Sequence, residues 1–249
     1  MDPVIGLGLV QGFNSSIEGL RPFPALSGPG CEIPSTQADI WCWVRGTDRG
    51  HITHVGRSVA KALQPAFRCD RLVDGFKFDS GLDLTGYEDG TENPEGGAAV
   101  DAAITENAGP GIDGSSFVAT QQWVHDLDHF KSLPQAEQDN IIGRRLSDNE
   151  ELDDAPVSAH VKRTVQESFE PEAFVVRRSV PWADKSGEGL MFVAFGQSLD
   201  AFEAQLRRMA GQEDGILDGL FRFSHPVSGN YFWCPPVKDS KLDISVLEI

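Results

Sequence analysis

Apolar residues recur along the chain at two spacings, and the second half shows them best. SSFVATQQWV (115–124) is a β-rich run, AFVVRRSVPW (173–182) and GLMFVAFG (189–196) read as two further strands, and PQAEQDNIIGRRL (134–146) is helical in composition. A well-marked helix follows: Ser198 stands at its N-cap, Leu199, Phe202, Leu206 and Met209 fall on one face, Arg207 and Arg208 occupy the last turn, and Gly211 closes it. With NYFWC (230–234) as a last strand, the order is β-α-β-β-α-β, a ferredoxin-like arrangement.

The first half repeats this scheme incompletely. VIGLGLV (4–10) and DIWCWVRG (39–46) stand as the two middle strands, HITHVGRSVAKALQPAF (51–67) as the second helix and RLVDGFKF (71–78) as the last strand. An opening strand and helix have no counterpart, which predicts a natural short form or a truncated start at Met1. The linking stretch ENPEGGAAVDAAITENAGPGIDGSS (92–116) lacks periodicity and reads as a long ordered or functional connection. The expected fold is α+β: an incomplete ferredoxin-like module over 1–94, a connection over 95–116, and a second module over 117–249.

Composition narrows the classes of function. The chain has 249 residues, 40% of them hydrophobic, enough for one large core or two small ones. Its 21 basic and 38 acidic residues leave a net charge of −17, spread along the sequence, which repels nucleic acid and anionic membranes and attracts cations. No run of 18 apolar residues occurs, and MDPVIGLGLVQGF lacks a basic region ahead of its apolar stretch, so neither a span nor a signal peptide is expected. Cys31, Cys42, Cys69 and Cys234 form no C-x-x-C pair and read as reduced core thiols of a cytoplasmic protein.

Three stretches carry candidate chemistry. GYEDGTENP (86–94) packs three carboxylates, two glycines, an amide and a proline into one loop. It reads as an acidic turn around Asp-Gly, as a calcium loop that fails the D-x-[DN]-x-[DN]-G-x5-E pattern, or as a catalytic loop. Among the six histidines, the pairs His51/His54 and His125/His129 have helical spacing in charged segments and read as solvated helix faces, whereas His160 sits in APVSAHVKRT between an acidic run and a basic pair. In FVVRRSVPW, Arg177 and Arg178 must point to opposite faces of a strand, so at least one is available to a pocket.

Taken in order, GYEDGTENP with its G-x-x-D-G core (Gly86, Asp89, Gly90), SAHVKRT, FVVRRSVPW and DGLFRFSHPVSGNYFWCP (218–235) resemble the dye-decolourising peroxidases, most of all the compact bacterial, porphyrinogen-peroxidase-like branch. The resemblance implies two ferredoxin-like modules of the dimeric α+β barrel type, with haem b (iron protoporphyrin IX) in the later one. It implies a peroxidase that reduces hydrogen peroxide and oxidises dyes, phenols or porphyrinogen-like donors through a ferryl intermediate. His160 would be the proximal iron ligand, its other nitrogen donating to Asp218 or Asp214, with Asp218 preferred. Asp89 and Arg177 would form the distal pair, the carboxylate moving a proton and the guanidinium stabilising the departing oxygen and holding a propionate. Ser179, where some relatives have asparagine, would join them. Gly90 would let the backbone pass close to the porphyrin, while Thr91, Glu92 and Asn93 would shape the loop and the haem edge.

The resemblance also implies a homo-oligomer, dimer to hexamer. The ending KLDISVLEI does not support packaging in a protein shell. The acidic surface favours cationic organic donors or Mn(II) as reductant, and Trp182, Tyr231 and Trp233 are candidates for passing electrons outward or for plain core. Two rivals stand beside this reading: a haem-storing or iron-removing protein using the same His160, and a calcium protein using the loop.

Overall fold

The computed structural model describes residues 2–248. β1 (Asp2–Ile5) ends where α1 (Leu7–Gly12) begins, so the strand expected over 4–10 is only half strand. Its second half turns helical because the chain crosses residues 38–39 closely: a Cβ at Gly6 would lie 2.2 Å from the Ala38 carbonyl oxygen. The turn also seats Val10, fully buried, in the core. A hairpin, β2 (Leu26–Gly28) with β3 (Cys31–Ile33), leads to β4 (Ile40–Trp43), which pairs antiparallel with β1. α2 (Arg49–Leu63) starts at Asp48, whose Oδ1 accepts the His51 N–H, and its His51 and His54 are exposed as expected.

Residues 71–78, expected as a strand, form none. They run beside residues 180–182 with a single bridge, Gly75 to Trp182, and one bond from the Phe76 N–H to the Pro181 carbonyl. Pro181 has no N–H to return, so the ladder cannot extend. The connection contains α3 (Gly96–Ala103), whose buried Ala102 accepts the Gln197 N–H through its carbonyl.

β5 (Ser116–His125) is buried on both faces from Ser116 to Trp123, which is why it reads as a run rather than an alternation. α4 (Leu127–Ser132), α5 (Gln135–Ile142) and the single-turn α6 (His160–Arg163) follow. The run AFVVRRSVPW gives two short strands, β6 (Val176–Arg177) and β7 (Val180–Asp184), both against β8 (Gly187–Gly196). α7 (Asp200–Met209) buries Phe202, Leu206 and Met209, takes the Ser198 hydroxyl as acceptor of its Asp200 N–H, and closes at Gly211 with φ +71. β9 (Ser224–Pro226), β10 (Asn230–Cys234) and a small hairpin of β11 (Val237–Lys238) with β12 (Lys241–Leu242) complete the chain.

Eight strands form one antiparallel sheet in the order β4-β1-β10-β5-β8-β6, with β9 also along β5 and β7 along β8. Because β1 meets β10 at Ile5 and Trp233, chain segments on either side of the connection share this sheet. Its register sets Tyr231, Ala119, Ala194 and Arg177 in one row, hence on one face. That face carries the main core, which α7 covers through Phe202 and Leu206, while Val4, Val118, Val193 and Phe232 pack on the other. Arg177 therefore points to the helix-covered side, half-buried, and Arg178 is exposed. Among the described residues no helix is long and apolar enough to cross a membrane. The four cysteines form no disulfide among the described residues, but Cys69 is exposed, not a core thiol, because the segment around it forms no strand or helix.

Candidate active site

The loop from Gly86 to Pro94 is held by its own side chains. Just before it, Asp83 Oδ1 accepts the Thr85 N–H and hydroxyl at 2.8 and 2.6 Å, while Oδ2 meets His125 Nε2 at 3.2 Å; His125 Nδ1 lies 2.6 Å from Ser224 Oγ. Burial pushes the Asp83 carboxyl up, but the bond and charge of His125 and the two Thr85 bonds outweigh it and hold the group below its ordinary value. Tyr87, packed against Phe130, donates to Asp139 and accepts from Gln135, and burial with the Asp139 charge raises its hydroxyl pKa. Asn149 donates to both Glu88 and Thr91, and Arg144 pairs with Glu92. Gly86 and Gly90 adopt φ +96 and +80, left-handed conformations that favour glycine.

Two side-chain amides then fasten the loop to the sheet. Asn93 Oδ1 accepts the Arg177 N–H at 2.7 Å and Nδ2 donates to the Arg177 carbonyl at 3.1 Å. Buried Gln166 donates to the Glu92 carbonyl at 2.8 Å and accepts the Val175 N–H at 3.0 Å.

His160 opens α6, which packs on α5 at Gly143: a Cβ there would lie 2.2 Å from Val161 Cγ2. His160 Nδ1–H donates to Asp218 Oδ2 at 2.9 Å, and Asp218 Oδ1 accepts the Leu220 N–H at 2.8 Å. The Asp218 side chain is wholly buried and that of His160 is 23% exposed. Asp214, the alternative partner, binds Arg163 instead, whose guanidinium draws its carboxyl below the usual range. Gln166 lies shortly beyond His160 in the chain, so its bond to Glu92 ties the histidine segment to the loop of Asp89.

Within this framework three polar groups have no hydrogen-bond or ionic partner among the described residues: His160 Nε2, the Asp89 carboxyl and the Arg177 guanidinium, all on half-buried side chains. Residues 80–239, which contain all three, match the family described as Dyp-type peroxidase, C-terminal. The chain belongs to the dye-decolorizing peroxidase family. The dye-decolorizing peroxidase of Rhodococcus erythropolis (strain PR4 / NBRC 100887) is 32% identical over 249 residues, covering 94% of this chain and 73% of that protein. Across four such curated relatives the chain spans 61% to 73% of their length. A solved dye-decolorizing protein from V. cholerae superposes with a TM-score of 0.88 at 29% identity, over 99% of this chain and 81% of that one. A Rhodococcus jostii RHA1 DypB variant in complex with heme gives 0.88 at 29%, over 94% and 78%. The α+β class with antiparallel strands agrees with these family structures.

The motifs of the sequence single out the loop, His160, Arg177 and Asp218 as candidates, but not what surrounds them. Ser179, expected at the site, shares the Arg177 face, and its Oγ accepts the Val193 N–H at 3.4 Å. Thr91 and Glu92 are engaged by Asn149 and Arg144. His125, expected on a solvated helix face, ends β5 with a side chain only 7% exposed, because Asp83 and Ser224 close over it. Arg144, Asn149 and Gln166 had no local signal: each acts through a partner far away in sequence.

Proposed function

We propose that this chain binds haem b through His160 and reduces hydrogen peroxide at the expense of an organic or Mn(II) donor. The observation that carries this reading is the trio of unpartnered groups, His160 Nε2, Asp89 and Arg177, amid a loop whose other polar side chains are engaged. The donor set fits an iron porphyrin. Among the described residues no three His, Cys, Asp or Glu side chains gather to hold an ion by themselves, whereas one imidazole suffices for a metal whose equatorial positions a macrocycle fills. Arg177 supplies a cation for a propionate.

When bound, haem supplies an iron centre able to take up two oxidising equivalents from peroxide. The chain's own residues do the rest. Asp218 fixes the His160 tautomer with the proton on Nδ1, freeing Nε2 to ligate and making it more basic. The Asp89 carboxyl accepts the proton of one peroxide oxygen and returns it to the other as water leaves. Arg177 stabilises the charge on the departing oxygen, and Ser179 stands on the same sheet face to hold water or peroxide. Gly90, Thr91 and Glu92 shape the loop that carries Asp89 and would border the haem, and the net charge of −17 draws cationic donors toward the protein.

The test is an absorption spectrum of haem-loaded protein before and after one equivalent of peroxide, beside His160→Ala, Asp89→Asn and Arg177→Leu. The expected result is a Soret band that shifts within seconds, is lost in His160→Ala, and persists but shifts slowly in the other two. A haem band indifferent to peroxide in the wild type, or unaffected speed in both Asp89→Asn and Arg177→Leu, would overturn the reading in favour of haem handling.

A further inference from the structure

β6 is the outermost strand of its sheet, so one row of its backbone groups faces away from β8. The Arg178 N–H bonds the Val193 carbonyl on β8, which leaves the Arg177 N–H and carbonyl, and the Val175 N–H, on the free edge. Water would ordinarily satisfy such an edge and leave it mobile. Here the Asn93 carboxamide takes both groups of Arg177 as a neighbouring strand would, and the Gln166 carboxamide takes the Val175 N–H while holding the Glu92 carbonyl beside Asn93.

Gly90, next to Asp89, belongs to the same device. A Cβ on Gly90 would lie 2.7 Å from Asn93 Nδ2, so any larger residue there crowds the amide that reaches Arg177. The Asn93 N–H also returns to the Gly90 carbonyl at 3.0 Å, closing a tight turn around Thr91 and Glu92. The path from Asp89 to the Arg177 backbone therefore runs through one turn and one pair of amide bonds.

We propose that Asn93 is a positioning residue of the peroxide reaction, with Gln166 as its support: the paired bonds to the Arg177 backbone fix the guanidinium relative to the Asp89 carboxyl. This rests on the reading of Asp89 and Arg177 as the groups that act on peroxide. An error of about 1 Å in such a pair costs on the order of 100-fold in rate, so the latch sets speed more than stability.

Asn93→Ala and Asn93→Asp test it in the full chain by two measurements. In haem-free protein, hydrogen exchange of the Arg177 amide is expected to accelerate by about tenfold or more in Asn93→Ala, because its only acceptor among the described residues is gone. In haem-loaded protein, the rate constant with hydrogen peroxide is expected to fall by about 10- to 100-fold with the KM of the donor within about twofold of wild type. Asn93→Asp supplies the readout that a merely structural role would not move. Its carboxylate cannot donate to the Arg177 carbonyl, but once protonated it can donate and accept as the amide does. The peroxide rate of Asn93→Asp relative to wild type should therefore recover as pH falls toward the carboxyl range, with no such recovery in Asn93→Ala.

Unchanged exchange at Arg177, a peroxide rate within about twofold of wild type in Asn93→Ala, or a pH-independent deficit in Asn93→Asp would each overturn the proposal. Should Asn93→Ala not fold, the pH profile of Asn93→Asp against wild type decides alone. A haem-loaded wild type that ignores peroxide overturns the peroxidase reading and this proposal together, whereas a reactive wild type with an indifferent Asn93→Ala overturns this proposal only.

Discussion

His160 Nδ1 and Asp218 Oδ2 lie 2.9 Å apart, and the second oxygen of that buried carboxyl takes the Leu220 N–H. Both oxygens are thus spoken for, and turning the carboxyl away from either donor would break a bond of a wholly buried group, a loss of about 1–3 kcal/mol. The imidazole is held in one tautomer and one orientation by a group that never meets solvent.

Replacing that carboxyl should weaken whatever His160 holds. Asp218→Asn keeps the shape but removes the strong acceptor, so haem affinity or peroxide reactivity is expected to fall about 10- to 100-fold. Haem titration followed at the Soret band, with circular dichroism to confirm folding, checks this. Affinity and reactivity both at wild-type levels would show the pair to be a scaffold only.

Asp89 and Arg177 are expected to act as one unit. Each single change, Asp89→Asn or Arg177→Leu, should slow the peroxide reaction, by about 10²- to 10⁴-fold where proton transfer is lost. Asp89→Asn with Arg177→Leu should be little worse than the slower single variant, since groups that cooperate in one step are strongly non-additive. Stopped-flow mixing with peroxide measures all three, and multiplicative losses would separate their roles.

Gly143→Ala should disturb the histidine segment from the neighbouring helix end. Gly143 has φ +96, and its added Cβ would meet Val161 Cγ2 at 2.2 Å and Ala159 Cβ at 3.2 Å, the residues on either side of His160. Strain and overpacking together predict a loss of about 1–3 kcal/mol. Urea unfolding gives the loss, and haem affinity reports whether α6 has moved.

The Asp83 and His125 pair predicts an acid limb of stability. A carboxyl lowered in the folded state favours folding above its unfolded value, about 3.9, and that contribution is lost as pH falls through the lower folded value. Asp83→Asn should be less stable than wild type by about 1–3 kcal/mol near neutral pH, because His125 and Thr85 lose a charged acceptor. The gap should narrow below about pH 4. Urea midpoints of both proteins against pH decide it, and a gap constant down to acid would exclude this pair as its source.

Where a segment's own pattern dictated its state, the reading from sequence agreed with the structure. The face Leu199, Phe202, Leu206 and Met209 with Gly211 beyond it specified α7, and the alternation of Arg177 and Arg178 specified that the two guanidinium groups leave opposite faces, while the register with β8 decided that Arg177 takes the covered side. Residues 71–78 failed because their fate depended on Pro181, more than a hundred positions later, which denies them a partner N–H. His125 failed for the same kind of reason: its spacing from His129 is local, but Asp83 and Ser224 are not.

The chain's motifs by themselves determined the family, the candidate ligand His160 and the loop around Asp89, because these depend on residue identity and order. Only the tertiary structure decided which groups are free to react. Glu88, Thr91 and Glu92 resemble Asp89 as polar loop residues, yet Asn149 hydrogen-bonds the first two and Arg144 pairs with the third, while Asp89 has no such partner among the described residues. A hydrogen bond satisfies a group through a partner brought near by the fold, so which carboxyl remains available follows from packing.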